Sequence, residues 1–349
     1  METRKLGSRG PLVSVLGVGC WSFGGGTYWG PQSQQDVDAV VNAALDAGVT
    51  LFDTAEVYND GASERSLGKA LGRRRDEALI VSKAGPHHAE PDLLRAACDA
   101  SLARLRTDRI DVYMFHWPIE PTAIAHFLGA DRPPVTPARL EDAFAAMAEL
   151  REQGKIRHIG VSNFGARQLA QAAGLTDLVA DELPYNLLSR AVELEVLPEA
   201  QRQGIGIIGY MALQQGLLAG KYTSAGEVPA AQAHSRHFAH ARGGALSRHH
   251  EAGAEAQVFT AIERLRTIAD DLQLSMSTLA LSWVLARPGV SSVLVGSRNE
   301  RQLMQNLRAA DTVLDPETIE ELDALTRPVL DALGSSPDYY ENRARSRVR

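Results

Sequence analysis

Short apolar runs alternate along this chain with segments whose apolar residues recur every three or four positions. One such segment spans 34–47, with apolar residues at Val37, Val40, Val41, Ala44 and Leu45. That spacing is typical of an amphipathic helix, and Gly48 ends it. The runs between such segments include LIVS, IGIIGY and SSVLVG, which are typical of buried parallel strands. The pattern predicts strands over residues 14–19, 49–53, 78–82, 110–115, 156–161, 178–183, 205–210 and 292–295.

Nearly all of these strands are followed by a predicted helix. We expect helices over residues 34–47, 64–71, 92–105, 138–153, 166–173, 193–203 and 300–309, with Ser63 capping the second. Repeated strand–helix units in a chain of 349 residues predict an α/β fold, a (β/α)8 TIM barrel. A doubly wound sheet is the alternative. Because no Pro-, Gly- or Ser-rich linker divides the chain, we predict one domain over 1–349, with its core at about 6–325.

The alternation is interrupted in three places. A proline-rich loop is predicted over 117–137 after the fourth strand, and a longer one over 211–253 after the seventh. The tail after residue 328 is polar. Insertions that follow barrel strands lie at the catalytic face, and loops this long are usually functional. We therefore expect the first two segments to form walls of a substrate pocket.

Composition and charge narrow the possible partners. The formal net charge is −7 and no long basic stripe occurs, which argues against a nucleic-acid partner. Two cysteines, Cys20 and Cys98, are too few for a disulfide framework, so a reducing compartment is expected. The first residues lack the apolar core of a signal peptide, and no apolar run reaches the length of about 18 that suggests a membrane span. We expect a cytoplasmic protein that acts on a small molecule, without a membrane or nucleic-acid partner.

Glycines in GVGCWSFGGG, residues 17–26, give a weak dinucleotide-binding pattern. The third glycine is misplaced, and no predicted helix follows directly. We interpret the segment as a strand end and a flexible loop, and not as a Rossmann site.

Four reactive side chains lie at or just after the ends of the predicted second, third and fourth strands: Asp53, Tyr58, Lys83 and His116. Each alone has an ordinary structural explanation, such as a cap, loop packing or a solvated charge. In a parallel barrel, however, all four reach the same mouth. A free phenol has a pKa near 10, and a nearby ammonium such as Lys83 lowers it.

Asp53 is placed to hold Lys83 charged and oriented, and His116 to donate a hydrogen bond to a carbonyl. This set suits protonation of an oxygen that gains negative charge, as in hydride addition to C=O. General acid catalysis of that kind contributes roughly 10²–10⁴-fold.

The sequence resembles the aldo-keto reductase superfamily. The resemblance rests on LFDTAEVYNDGASERSLGKAL, the lysine of IVSKAG, the HWP, GKIRHIGVSNF and GSRNERQLMQNL, in collinear order from about residue 6 to 325. It implies a catalytic tetrad of Asp53, Tyr58, Lys83 and His116, with Tyr58 as general acid. It also implies a nicotinamide cofactor extended across the barrel mouth.

The resemblance also implies cofactor contacts, residue by residue. Ser162 and Asn163 match the pair that binds the nicotinamide carboxamide, and Tyr210 matches the aromatic residue that stacks on the ring. The stretch 216–222 resembles the loop over the pyrophosphate. The contacts implied in and beside that loop are Leu213, Gly216, Leu218 and Lys221.

The adenosine end of the implied cofactor falls in GSRNERQLMQN. Gly296, Ser297 and Arg298 open a predicted helix near the 2′-phosphate, and Gln302 and Asn306 resemble contacts to that phosphate and the adenine. A helix N-terminus beside an arginine is an anion site. The resemblance therefore implies NADP(H), and the expected mechanism needs no metal.

One position departs from the family pattern. Glu182 stands where the family usually has glutamine, three residues before the tyrosine of DELPYNLL. An ionised carboxylate accepts hydrogen bonds and donates none. Glu182 can accept from the carboxamide N–H and favour the oxidised, cationic ring, or this position has another partner.

The sequence makes less specific predictions for the substrate pocket and for the loop 234–250. Trp21 and Trp117, with Tyr28 and Trp29, are candidates for an aromatic wall. The loop 234–250 is rich in His and Arg; it suits a basic flap over the cofactor phosphates or a mobile loop better than a zinc site.

Three functions fit these residues. The first is an NADP(H)-dependent reductase of aldehyde, ketone or sugar carbonyls. The second is a polyol or glycoside dehydrogenase that works mainly by oxidation. The third is a cofactor-binding regulatory protein similar to potassium-channel β-subunits.

Overall fold

The computed structural model describes residues 1–129 and 135–349. Eight parallel strands close into a barrel. These strands are β3 (Leu16–Gly19), β4 (Leu51–Asp53), β5 (Leu79–Ala84), β6 (Ile110–Phe115), β7 (Ile156–Ser162), β8 (Leu178–Pro184), β9 (Gly206–Tyr210) and β10 (Val290–Val295). Around the barrel they follow one another in the order β10-β3-β4-β5-β6-β7-β8-β9. Each overlaps one of the predicted strands. The predicted barrel is therefore confirmed, and the doubly wound alternative is wrong.

A short antiparallel hairpin of β1 (Thr3–Lys5) and β2 (Leu12–Ser14) precedes the barrel. Its Ser8 amide donates to the Gly204 carbonyl in the turn that precedes β9, and the Ser14 hydroxyl accepts from the Thr50 amide just before β4. The hairpin thus covers the end where the strands begin. Leu6 packs with the side chains that fill the barrel interior: Val13, Leu51, Val81, Val112, Met114, Val179, Ala180, Ile208 and Leu294. Since the interior is filled, the mouth at the carboxyl ends of the strands is where a site can form.

Helices surround the barrel and bury their apolar faces against it. They are α1 (Gln34–Asp46), α2 (Ala62–Leu71), α3 (Pro91–Leu105), α4 (Pro121–Leu128), α5 (Leu140–Glu152), α6 (Ala166–Ala173), α7 (Val196–Gln203), α8 (His240–Gly243), α9 (Glu255–Asp271), α10 (Met276–Leu285), α11 (Glu300–Leu307) and α12 (Pro316–Leu333). All the predicted helices are found, with ends shifted by a few residues. In the part of the chain that the structure describes, none is both long and apolar enough to cross a bilayer.

The predicted cap of the second helix is wrong. Helix α2 begins at Ala62, and its cap is Gly61, whose φ of 75° is easy for glycine. Ser63 lies inside the helix and is buried, and its hydroxyl donates to the Cys20 carbonyl at 2.7 Å. Ser63 therefore ties the helix to the loop that follows β3.

Both predicted loops contain helical structure. The loop 117–137 holds α4, which begins at Pro121 and buries Ala123 and Ile124, while residues 130–134 lie outside the described part. The loop 211–253 holds the one-turn helix α8 and several 3₁₀ turns. Proline suits the first turn of a helix, where its missing N–H has no partner to lose. The proline-rich pattern therefore concealed a helix start.

Candidate active site

Four reactive side chains meet at the carboxyl ends of three neighbouring strands. Asp53 is the last residue of β4, Lys83 lies next to the end of β5, and His116 directly follows β6. Tyr58 is in the loop after β4, where its amide donates to the Ala55 carbonyl. Parallel pairing of β4, β5 and β6 brings these positions to one edge.

The distances show that these side chains form one cluster. The Lys83 ammonium donates to the Asp53 carboxylate, and to the Thr54 carbonyl at 3.0 Å. Its Nζ lies 5.2 Å from the centroid of the Tyr58 ring. The Tyr58 and His116 rings meet edge to face with centroids 5.4 Å apart. The structure thus brings together all four residues of the predicted tetrad.

Burial and charge set the protonation of this cluster. Burial lowers the pKa of Lys83, but Asp53 and Glu182 outweigh it and hold that pKa above its ordinary value. Burial lowers the pKa of His116 well below its usual range, and Lys83 lowers it further. The cluster therefore presents an ammonium and a neutral imidazole through neutral pH.

Tyr58 differs from the sequence-based expectation. Lys83 does lower the pKa of the phenol, as predicted, but burial raises it more, and Asp53 and Glu182 add to the rise. The net pKa of Tyr58 lies above its ordinary value. Tyr58 is therefore held in the protonated form, which is the form that can donate.

A second group of polar side chains extends from His116 across the mouth. Asn163 donates to the His116 carbonyl and to the Ser162 hydroxyl, each at 3.0 Å, and accepts from the Tyr210 hydroxyl at 2.7 Å. Its backbone is left-handed, with φ of 62°, which asparagine tolerates better than most residues. The predicted carboxamide-binding pair and the predicted stacking tyrosine are thus adjacent.

Glu182 enters the cluster from β8. Its carboxylate oxygen Oε2 lies 3.3 Å from the Lys83 Nζ, which also pairs with the Asp53 carboxylate. Its own backbone carbonyl accepts from the Ser162 hydroxyl at 3.0 Å. The partner of this unusual residue is therefore the Lys83–Asp53 pair.

The predicted phosphate-binding residues lie where β10 leads into α11. The Arg298 amide donates to the Gln302 side chain at 2.9 Å, and Asn299 caps the helix. Ser297 is buried and accepts from the Asn306 amide at 3.3 Å. At Gly296 an added Cβ would meet nothing within 4 Å, so the backbone there faces open space. The start of α11 thus lies beside an open backbone at Gly296 and the Arg298 guanidinium, which donates to the Pro31 carbonyl.

The loop that follows Tyr210 has a strained backbone. Met211, Gln214 and Gln215 all have φ between 43° and 53°, and Gly216 has φ of 101°. Such residues cluster at ligand-binding loops. Leu218 is buried, and Lys221 is exposed in the same loop beside Gly216.

These groups fit a nicotinamide dinucleotide. The amide and hydroxyl groups of Ser162 and Asn163 offer the donors and acceptors that a carboxamide needs, next to the tetrad. The open backbone at Gly296 and the start of α11 suit a phosphate. The residues present therefore match the cofactor that the sequence pattern implies.

Aromatic side chains gather beside Tyr58 at the barrel mouth. Trp21 is exposed, stacks on Tyr28 with centroids 4.9 Å apart and meets Trp29 at right angles. It lies 6.0 Å from the Tyr58 ring. Trp117, by contrast, is mostly buried, and the Arg347 guanidinium covers its ring at 3.7 Å.

The C-terminal tail, residues 334–349, packs over Trp117, a contact that the sequence did not predict. Arg347 forms a two-point ion pair with Asp338, and both are buried. Val348 packs against Trp117, and the Tyr340 hydroxyl contacts Met211. In the sequence, the packing of this tail is indicated only by the pair Tyr339–Tyr340 and by Val348, which are apolar positions in an otherwise polar segment.

The loop 234–250 packs against that tail. Arg236 is buried and bonds to Glu251 and to the Leu333 carbonyl, and the buried His237 bonds to the Leu188 carbonyl at 2.8 Å. The His234 ring stacks on Tyr340. Arg236 and His234 thus join the loop to the tail.

Known proteins are similar to this chain in sequence and in fold. The family model described as Aldo/keto reductase family matches residues 15–327. Aldo-keto reductase YhdN of Bacillus subtilis (strain 168) is 30% identical over 364 aligned residues and covers 100% of both chains. A probable voltage-gated potassium channel subunit beta of Oryza sativa subsp. japonica is 30% identical, over 94% of this chain and 97% of that protein. A crystal structure of an aldo-keto reductase from Klebsiella pneumoniae in complex with NADPH superposes with a TM-score of 0.70 at 27% identity, over 94% of this chain and 96% of that one.

Proposed function

This chain belongs to the aldo/keto reductase family, and we propose that it reduces aldehyde, ketone or sugar carbonyls to alcohols with NADP(H). The observation that carries the proposal is the cluster at the barrel mouth. A protonated Tyr58 lies between His116 and a buried Lys83, and Asp53 fixes the charge of that lysine. The open side of the cluster is lined by Trp21.

Each side chain has a role in this chemistry. The bound nicotinamide cofactor supplies the hydride that forms the new C–H bond. His116 donates a hydrogen bond to the carbonyl oxygen, which orients the substrate. Tyr58 gives its proton to that oxygen as negative charge develops, and Lys83 stabilises the phenolate that remains until water returns a proton. Asp53 keeps Lys83 charged and in place.

The preference for NADP(H) follows from the adenosine end. We assign the 2′-phosphate to Arg298 and the start of α11, with Gln302 and Asn306 supporting that turn. The Klebsiella pneumoniae structure contains NADPH on the same fold. The remaining cofactor contacts are assigned to Ser162, Asn163, Tyr210 and the loop with Leu213, Gly216, Leu218 and Lys221.

The test is to replace Tyr58 by Phe and follow NADPH oxidation with a reactive aromatic aldehyde. Loss of the general acid should lower kcat by roughly 10²–10⁴-fold. Tyr113→Phe is the matched control, since Tyr113 is buried in the outer core and its hydroxyl has no hydrogen-bond partner among the described residues. Tyr58→Phe turnover equal to that of the control would contradict the proposal.

A regulatory role is the second candidate, because one relative is named a potassium channel subunit. A regulatory protein would bind NADPH but turn over carbonyls very slowly. A dehydrogenase is tested by the same assay run with NADP⁺ and alcohols.

We further propose that the protein acts in the cytoplasm and that its partner is a small molecule. The net charge of −7 favours a small molecule over nucleic acid as the partner.

A further inference from the structure

The active-site cluster contains two buried carboxyl groups for one ammonium. The side chains of Asp53 and Glu182 are 4% and 3% exposed, and that of Lys83 is fully buried. Lys83 contacts both carboxyl groups, with its Nζ 3.3 Å from the Glu182 Oε2. With both carboxyl groups ionised, the buried cluster would carry one uncompensated negative charge.

The two carboxyl groups face the same ammonium, because the Lys83 Nζ pairs with an oxygen of each, so they lie close to each other. Two carboxylates can share a hydrogen bond only if one of them holds a proton, and like charges this close do not both ionise. Burial first, and then Asp53, raise the pKa of Glu182 well above its usual range, although Lys83 opposes them. Asp53 is favoured as the ionised partner because its carboxylate accepts directly from Lys83.

The backbone holds Glu182 in this position. Its carbonyl accepts from both the Ser162 hydroxyl and the Asn163 amide, so β8 is fixed to β7 at this residue. The titratable groups that interact with Glu182 come from the elements around it: Asp53 on β4, Tyr58 in the following loop, Lys83 on β5, Asp181 on β8 and Tyr210 on β9. Among these described residues Lys83 is the one cation.

We propose that Glu182 is a positioning residue that holds a proton, donates it in a hydrogen bond to Asp53, and on losing it at alkaline pH turns the enzyme from carbonyl reduction toward alcohol oxidation. This rests on the proposed function. Ionised Glu182 adds negative charge beside Tyr58, which makes the phenol a weaker acid. The same charge favours the cationic, oxidised nicotinamide.

The proton itself is tested on the cofactor-free protein by urea unfolding of wild type and Glu182→Gln between pH 5.5 and 9. Glutamine is isosteric and keeps a donor toward Asp53, but it cannot ionise. A folded pKa above the unfolded value gives stability that is present at low pH and lost as pH rises through the folded pKa. The unfolding constant of wild type relative to Glu182→Gln should therefore rise, approaching tenfold per pH unit below that folded pKa.

Asp181→Asn is the control, because Asp181 is a second buried carboxyl on the same strand, whose oxygens have no hydrogen-bond partner among the described residues. Parallel pH dependence of wild type and Glu182→Gln would overturn the proposal. If Glu182→Gln does not fold, the test is whether Asp181→Asn shows the infrared band of a protonated carboxyl group at pH 7.5. Such a band in Asp181→Asn supports the proposal, and its absence there overturns it.

The effect on direction is measured as the ratio of kcat for reduction to kcat for oxidation, with one aldehyde–alcohol pair across pH. In wild type this ratio should fall more steeply with pH than in Glu182→Gln. Glu182→Leu, which cannot bond to Asp53, should lose reduction at every pH. Identical pH profiles in wild type and Glu182→Gln would overturn the proposal. If instead no carbonyl is turned over while the unfolding difference is seen, the proposed function fails and the proton on Glu182 stands.

Discussion

Removing the Arg347 guanidinium should destabilise the protein far more than removing an exposed arginine. In Arg347→Met the side chain keeps its stem, but Asp338 stays buried without its cation. Breaking a buried ion pair on one side costs about 3–5 kcal/mol. The lost cation–π contact with Trp117, worth roughly 2 kcal/mol when desolvated, overlaps with that cost and is not added to it.

The assay is urea unfolding, with Arg327→Met as the matched control. Arg327 pairs with Asp331 one helical turn away, and both side chains are about 60% exposed. That pair should contribute about 0.3–0.5 kcal/mol. The double variant Arg347→Met/Asp338→Leu should recover much of the loss, because it leaves no unpaired buried charge.

Two results would refute this reasoning. One is a loss in Arg347→Met within about 1 kcal/mol of the control, which would place the tail in solution and uncover Trp117. The other is a double variant less stable than Arg347→Met, which would mean that packing and not charge pairing holds the tail in place.

Three further predictions concern charge. Lys83→Met should lower kcat at least about 10²-fold with little change in NADPH affinity measured by fluorescence titration, because the phenolate of Tyr58 loses its cation. Arg298→Ala should raise KM for NADPH about tenfold or more and leave KM for NADH unchanged, since a charged hydrogen bond to phosphate contributes about 1.5–3 kcal/mol; equal shifts for both cofactors would refute the phosphate assignment. Burial raises the pKa of Asp338, but the ion pair with Arg347 outweighs burial and lowers that pKa below its ordinary value. The stability that the ion pair provides is therefore fully present above the unfolded pKa, near 3.9, and is lost as pH falls through the folded pKa. Urea unfolding from pH 6 to pH 3 should show that loss in wild type and not in Asp338→Asn.

The sequence was sufficient to predict the barrel because its strands are fully buried. LIVS and SSVLVG read as continuous apolar runs, and the helices between them show clear periodicity. The tetrad could be predicted for the same reason, since strand order alone brings Asp53, Lys83 and His116 to one mouth.

What could not be predicted depends on contacts between residues far apart in the chain. The strands of the N-terminal hairpin have three residues each, too few for a periodic signal. The tail is polar in sequence, and its place over Trp117 depends on an ion pair between Asp338 and Arg347. The net pKa of Tyr58 likewise follows first from burial, which a list of neighbouring charges does not reveal.

The central claim is that Tyr58 donates the proton during hydride transfer beside a charged Lys83. It is tested most directly by mixing NADPH-bound enzyme with excess aldehyde in a stopped-flow instrument and measuring the first turnover of wild type, Tyr58→Phe and Tyr113→Phe. The account predicts a hydride-transfer rate roughly 10²–10⁴-fold lower in Tyr58→Phe than in the other two. Equal first-turnover rates in all three proteins would contradict it.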